Sequence, residues 1–225
     1  METAALYDNL IRMPLFTGMS MDELQRIVSK TKIDFITVAP RETIARQGEK
    51  CGQLLMLIKG QIACHTCTDD GRYAVSETLS GPTILQFGSM FGLFQQFTHT
   101  FTAQTSSCLI SIDKKEILKL VSSSIIFRLN LINILSTTLQ KKQYDTWRPE
   151  PRQLTKRIAT FMRRRCLTPT GPKVFHIKMQ TLADELNDSR LDVSRALNEL
   201  QQRNLIRLCR GRIEVPAIQE LIVKA

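Results

Sequence analysis

Residues 179–206 constrain this chain more than any other stretch. Leu182, Ala183 and Leu186 mark one apolar helical face, and Val193, Ala196, Leu197 and Leu200 mark a second at helical spacing. Between them stand Asn187, able to take the left-handed conformation of a tight turn, and Ser189, suited to cap the second helix. Ala183 is small enough to let the second helix cross closely, Val193 fills the space between, and Asp192 lies in a positively polarised first turn. Two amphipathic helices joined this way make a helix-turn-helix, with Arg190, Leu191, Ser194 and Arg195 on its outer face. An arginine there can hydrogen-bond two acceptors on a guanine edge in the major groove. Taken alone, the stretch also fits a helical hairpin in a globular core whose arginines are merely solvated.

Charge separates these readings. The formal net charge is +10, and residues 148–225 hold 16 Lys/Arg against 8 Asp/Glu, while the preceding 147 residues hold 15 against 13. The positive field therefore sits on the segment with the helix-turn-helix, as phosphate binding requires. Lys178, Gln180, Ser189, Arg207, Arg210 and Arg212 are the candidate backbone contacts around it. No apolar run approaches the ~18–20 residues of a membrane span, and the first ten residues lack the plan of a signal peptide, so a cytoplasmic protein with no membrane partner is expected.

The rest of the chain reads as an α+β protein of three segments. Residues 1–112 form a first domain, a β-sandwich or jelly roll of short strands at 33–38, 54–59, 61–67 and 72–79, with Asp70-Gly71 as a hairpin turn. Ser20 is placed to cap a short helix before it. Residues 113–147 form a linker and a long helix from about 125, along which Ile125, Leu129, Ile132, Ser136 and Leu139 step by three and four. That stripe is a coiled-coil seam for a second copy of the chain, unless it packs on its own β-domain. Pro149 and Pro151 then make a hinge. Residues 148–225 form the DNA-binding domain: a helix at 153–166, a strand at 174–177, the helix-turn-helix, and a wing at 206–208 and 213–215 around Arg210-Gly211. Arg163, Arg164 and Arg165 either touch phosphate or favour their helix C-terminus.

The six cysteines suggest free thiols rather than a metal or disulfide framework. Cys64 and Cys67 fall in a strand, where residues three apart point to opposite faces. His65, His99 and His176 lie in separate segments without a nucleophile motif or phosphate-cradling loop, so no enzyme is expected.

In this order the segments resemble the CRP/FNR superfamily of bacterial transcription regulators over nearly the whole chain. Met13-Pro14-Leu15-Phe16 looks like the family's opening Pro-Leu-Phe, Arg46-Gln47-Gly48-Glu49 its Glu-Gly-Asp/Glu turn, and Ile58-Lys59-Gly60-Gln61-Ile62 its Ile-x-x-Gly-x-Val junction. Leu182-Ala183, Ser189-Arg190, Val193-Ser194-Arg195-Ala196-Leu197 and Asn204-Leu205-Ile206 are similar to its DNA-binding signature. The resemblance implies a homodimer on a near-palindromic double-stranded DNA operator, acting with RNA polymerase as a further partner. Leu191 departs from it, since many members carry a base-reading Glu there; leucine offers only apolar contact, for instance to a thymine methyl.

The effector cassette departs further. Phe91-Gly92 matches, but Leu93 stands where the family's Glu binds ribose hydroxyls, Thr98-His99-Thr100 lies in the region of its Arg, and residues 73–113 contain no Lys or Arg. A desolvated phosphate without a cation is poorly compensated, so cyclic AMP is not expected to bind in the usual way. The effector pocket would be Met90, Phe91, Gly92, Leu93 and His99. Some members bind haem, which His99 and Met90 could ligate; the alternative is a collapsed aromatic core. The iron–sulfur type needs an N-terminal cysteine cluster, and no cysteine precedes Cys51.

Overall fold

The computed structural model describes residues 2–225, leaving only Met1 of the expected sensor segment outside. In chain order it contains α1 (Glu2–Ile11), α2 (Met21–Lys30), β1 (Asp34–Val38), β2 (Thr43–Ala45), β3 (Gln53–Lys59), β4 (Gln61–Cys67), β5 (Tyr73–Ser80) and β6 (Thr83–Gln86). There follow β7 (Thr100–Ala103), β8 (Ser107–Asp113), α3 (Lys114–Ser123), α4 (Ile125–Trp147) and α5 (Leu154–Arg164). The chain ends with β9 (Lys173–Ile177), α6 (Met179–Leu186), α7 (Arg190–Gln202), β10 (Arg207–Cys209), β11 (Arg212–Val215) and α8 (Ile218–Lys224). Helices α1, α3 and α8 are not indicated by the sequence; of the wing strands, β10 is shifted by one residue, whereas β11 begins one residue early and ends at the expected Val215. The residues fall into two compact units, 1–62 with 79–146 and 63–78 with 147–225. The hairpin 63–78, which the sequence places inside a sensor domain of 1–112, thus packs with the C-terminal segment.

In the first unit β1, β8, β3 and β6 form an antiparallel sheet in that order, and β2 pairs with β7. Strand β3, central in this sheet, is buried without a break from Leu54 to Leu57, so both of its faces are covered. Ser20 caps α2, its Oγ accepting the Glu23 N–H while the Glu23 carboxylate accepts the Ser20 N–H. Leu15 and Phe16 are fully buried, and Phe16 meets Phe127 of α4 edge-on at 5.5 Å. Asn130 donates to the carbonyls of Leu15 and Thr17 at 3.1 and 2.8 Å, which fastens this turn to α4.

Helix α4 has two apolar sides with different fates. Phe127 and Leu131 face inward, whereas Ile125, Leu129, Ile132 and Leu139 are 64, 53, 51 and 58% exposed. Ser136 on the same stripe is exposed too. The seam therefore does not pack on its own β-domain. No single helix among the described residues is long and apolar enough to cross a membrane.

Gly60 joins β3 to β4 with φ +109, and a Cβ there would sit 2.3 Å from Ser107 Oγ. Gly60→Ala is expected to cost about 1–3 kcal/mol for the conformation and a similar amount for overpacking, read as a lower urea midpoint at unchanged slope.

In the second unit the strands run β10, β11, β9, β5, β4. Phe175 at the centre of β9 is in register with Ile213 on one side and Val75 on the other. Ile158, Met162, Leu182, Leu197, Leu200 and Ile218 pack around these strands as one core.

Candidate nucleic-acid interface and effector cassette

The turn of the helix-turn-helix is built from local bonds. Asn187 takes φ 50, ψ 53 and ends α6, and the next N–H, of Asp188, returns to the Ala183 carbonyl at 3.0 Å. Ser189 starts α7: its Oγ accepts the Asp192 N–H at 3.0 Å and donates to the Asp192 carboxylate at 2.6 Å. Leu182, Ala183, Leu186, Val193, Ala196, Leu197 and Leu200 are all buried, so the apolar faces meet as the spacing requires. Arg157 of α5 grips the same turn, with an ion pair to Asp188 at 2.8 Å and a hydrogen bond to the Leu186 carbonyl. Sequence reasoning missed it, because nothing local to residue 157 indicates a partner about 30 residues away.

This packing leaves one face of α7 outward. Arg190, Leu191 and Arg195 are exposed and Ser194 is half-buried, so the four expected base readers come together near the helix start. Asp192 pairs with Arg195 at 3.3 Å, with both side chains in solvent. Lys178 and Gln180 are exposed at the start of α6, where Gln180 donates to Asp184 at 2.9 Å. In the wing, Leu208 pairs with Ile213, so Arg207, Cys209, Arg212 and Glu214 project to the other side. Arg210 and Gly211, at φ 74, form the turn. Arg212 is held by Glu214 at 2.9 Å, which raises its pKa further, whereas Arg207 and Arg210 are simply exposed.

The arginine run divides differently. Arg165 bonds Glu185 at 2.8 Å and lays its guanidinium 3.6 Å from the Phe161 ring centre, and Arg164 pairs with Glu150. These two serve the unit's own packing rather than phosphate.

In the other unit the cassette is filled by its own side chains. Phe87, Met90, Phe97 and Phe101 are buried, Phe97 and His99 both pack edge-on against Phe101 at 6.3 and 6.0 Å, and His99 is half-buried. Phe91 is half-buried, Gly92 is exposed, and Leu93 is 87% exposed. The five expected effector residues are therefore not gathered around one enclosed space. Gln86 braces the cassette instead, donating to the Gln96 carbonyl at 3.2 Å and accepting the N–H and hydroxyl of Thr98 at 3.0 and 3.2 Å. A cation does reach the cassette from just outside the basic-free window: Lys114 Nζ lies 4.9 Å over the Phe91 ring and donates to Gln95 at 2.7 Å. With Met90 enclosed and His99 packed on Phe101, these residues do not fit a planar haem. With Leu93 outward and the Gln86 carbonyl already occupied by Thr98, they do not fit a nucleotide's ribose either.

All six cysteines are free, and no group of three or more His, Cys, Asp or Glu among the described residues could hold a metal ion.

A β-rich domain, a long helix and a winged helix-turn-helix define a class of two-part DNA-binding regulators. Residues 35–124 match the model for a cyclic nucleotide-binding domain and residues 156–222 the model for a Crp-like helix-turn-helix domain. The chain belongs to the Crp/Fnr family of transcription regulators. A solved Crp/Fnr-family regulator from Eubacterium rectale is 20% identical over 93% of this chain and 96% of its own, with a TM-score of 0.52, which shows a shared fold. The catabolite activator protein of Thermus thermophilus is 21% identical over 93% and 98% of the two chains, with a TM-score of 0.48. No curated protein matches the chain.

Proposed function

We propose that this chain binds a specific double-stranded DNA operator as a homodimer, reading bases with Arg190, Leu191, Ser194 and Arg195, and acts on transcription with RNA polymerase. The carrying observation is the outward face of α7, which presents two arginines beside a leucine while its other face is buried. Lys178, Gln180, Ser189, Arg207, Arg210 and Arg212 surround it as contacts to the sugar–phosphate backbone. The seam of Ile125, Leu129, Ile132, Ser136 and Leu139 supplies the dimer interface, so that two copies of α7 meet successive major grooves. The sensor responds to something other than a cyclic nucleotide, a reading supported by the outward Leu93 and by the Gln86 carbonyl's engagement with Thr98.

The test is gel shift on an operator selected from random DNA. Arg190→Ala and Arg195→Ala should each lose about 5- to 100-fold on that operator and relax discrimination at one position of the half-site. Arg210→Ala should weaken all DNA alike and lower the salt slope by about one. Equal affinity for every sequence would overturn the proposal.

A further inference from the structure

The second compact unit is not a continuous stretch of chain. Residues 63–78 belong to it as fully as 147–225 do. Strand β5 runs antiparallel to β9 over five residue pairs, from Tyr73 opposite Ile177 to Glu77 opposite Lys173. Val75 is 3% exposed within the same core as Phe175, Leu182 and Leu197. At the far end of this seam Glu77 and Lys173 form an ion pair at 2.6 Å with side chains 2 and 1% exposed. The Glu77 carboxylate also accepts the N–H groups of Leu167 and Thr168 at 2.6 and 3.0 Å and the Thr168 hydroxyl at 3.0 Å. Lys173 donates in turn to Thr168. The surroundings are apolar: burial, aided by the Glu77 charge, pushes the thiols of Cys64 and Cys166 up to about 12. Both thiols are thus held protonated, and a redox role for them is unsupported.

At its other end the hairpin clasps the helix-turn-helix. Arg72 and Arg165 converge on the Glu185 carboxylate of α6 at 3.2 and 2.8 Å, and Arg165 donates to the Tyr73 hydroxyl at 2.5 Å. The root of the hairpin, by contrast, is fixed in the first unit. A Cβ on Gly81 would lie 2.5 Å from the Ile58 carbonyl oxygen, and Gly60 leaves no more room. The Gln61 carbonyl accepts the Gln104 N–H at 2.9 Å. Three chain crossings therefore join the units, and the proline hinge is only one of them.

We infer that the β5–β9 seam is a latch, internal to the second unit, that braces the helix-turn-helix, and that opening it weakens DNA binding. Closed, it pins α6 through Glu185 and leaves the outer face of α7 free, which is a preorganised binding state. The ion pair suits a latch because it is replaceable as a pair. Removing one partner strands a buried charge, whereas neutralising both removes the penalty. The DNA arm of this inference rests on the operator reading above; the seam itself does not.

The test uses the full chain, with hydrogen exchange and operator titration on Glu77→Gln and on Glu77→Gln/Lys173→Met. The glutamine removes the charge and keeps one acceptor oxygen, which can serve Thr168 or Leu167 but not both, since these bond different carboxylate oxygens in the parent. In the single variant, exchange across 73–77 and 173–177 should rise at least about tenfold, that of 190–202 should stay within about threefold, and operator affinity should fall at least about tenfold. The double variant should return both readouts to within about threefold of the parent. Unchanged exchange across the seam overturns the inference, as does an opened seam with unchanged affinity. If the single variant fails to fold, a double variant that folds and binds supports it, and one that also fails overturns it. A parent chain without sequence preference would defeat the operator reading, yet the exchange arm would still judge the seam.

Discussion

Aspartate at both Ile132 and Leu139 is expected to turn a dimer into folded monomers. Both side chains are more than half exposed, on a side of α4 distinct from that of the buried Phe127 and Leu131. A second copy that covers the stripe gains about 1.5–3 kcal/mol for each large apolar side chain it buries, and loses several for each carboxylate placed there. The single chain loses almost nothing, because neither residue contributes to its core. Sedimentation equilibrium at micromolar concentration should give half the parent mass, with the unfolding midpoint unchanged. Operator affinity should fall more than about 100-fold, since each half-site is then bound without the other. A double variant that remains dimeric would place the contact elsewhere.

Phe175→Ala should have the largest effect on stability, about 3–5 kcal/mol. Its ring is fully buried between Val75 and Ile213, at the point where the hairpin strand, β9 and the wing strand meet. The loss should fall on the urea transition of the second unit and leave that of the first in place. Phe35→Ala on β1 is the control. Phe35 is 66% exposed, and its removal should cost less than about 0.5 kcal/mol. Equal losses from the two substitutions would contradict the core described above.

What the sequence disclosed follows the range of each signal. The helix-turn-helix was legible because its apolar spacing, turn residue and cap all lie within 28 residues, and each does locally what its chemistry suggests. The α4 stripe was legible for the same reason. The wing was found with its first strand displaced by one residue, since Ile206 and Arg207 fit either register until Leu208 meets Ile213. Helix α8 is too short to show a clear period. The Glu77–Lys173 pair was invisible, since two opposite charges 96 residues apart carry no local pattern. Similarly, Gln86 reads as an ordinary polar residue until Thr98 is folded against it. Lys114 escaped notice because it follows directly on the stretch without basic residues, and the start of α3 brings it over Phe91.

The separation of Glu77 from Lys173 also governs how the chain emerges from the ribosome. At ordinary rates of synthesis, β5 waits roughly 5–20 s before its partner strand exists. During that interval the edge that β9 will occupy offers unpaired N–H and C=O groups and the apolar Val75 to any neighbouring strand, including β5 of another nascent copy. Few residues on that edge would discourage such pairing, since Glu77 is its one charge between Tyr73 and Ser80. The carboxylate that is buried with Lys173 in the finished protein is thus, in the unfinished one, the single charge that opposes such pairing.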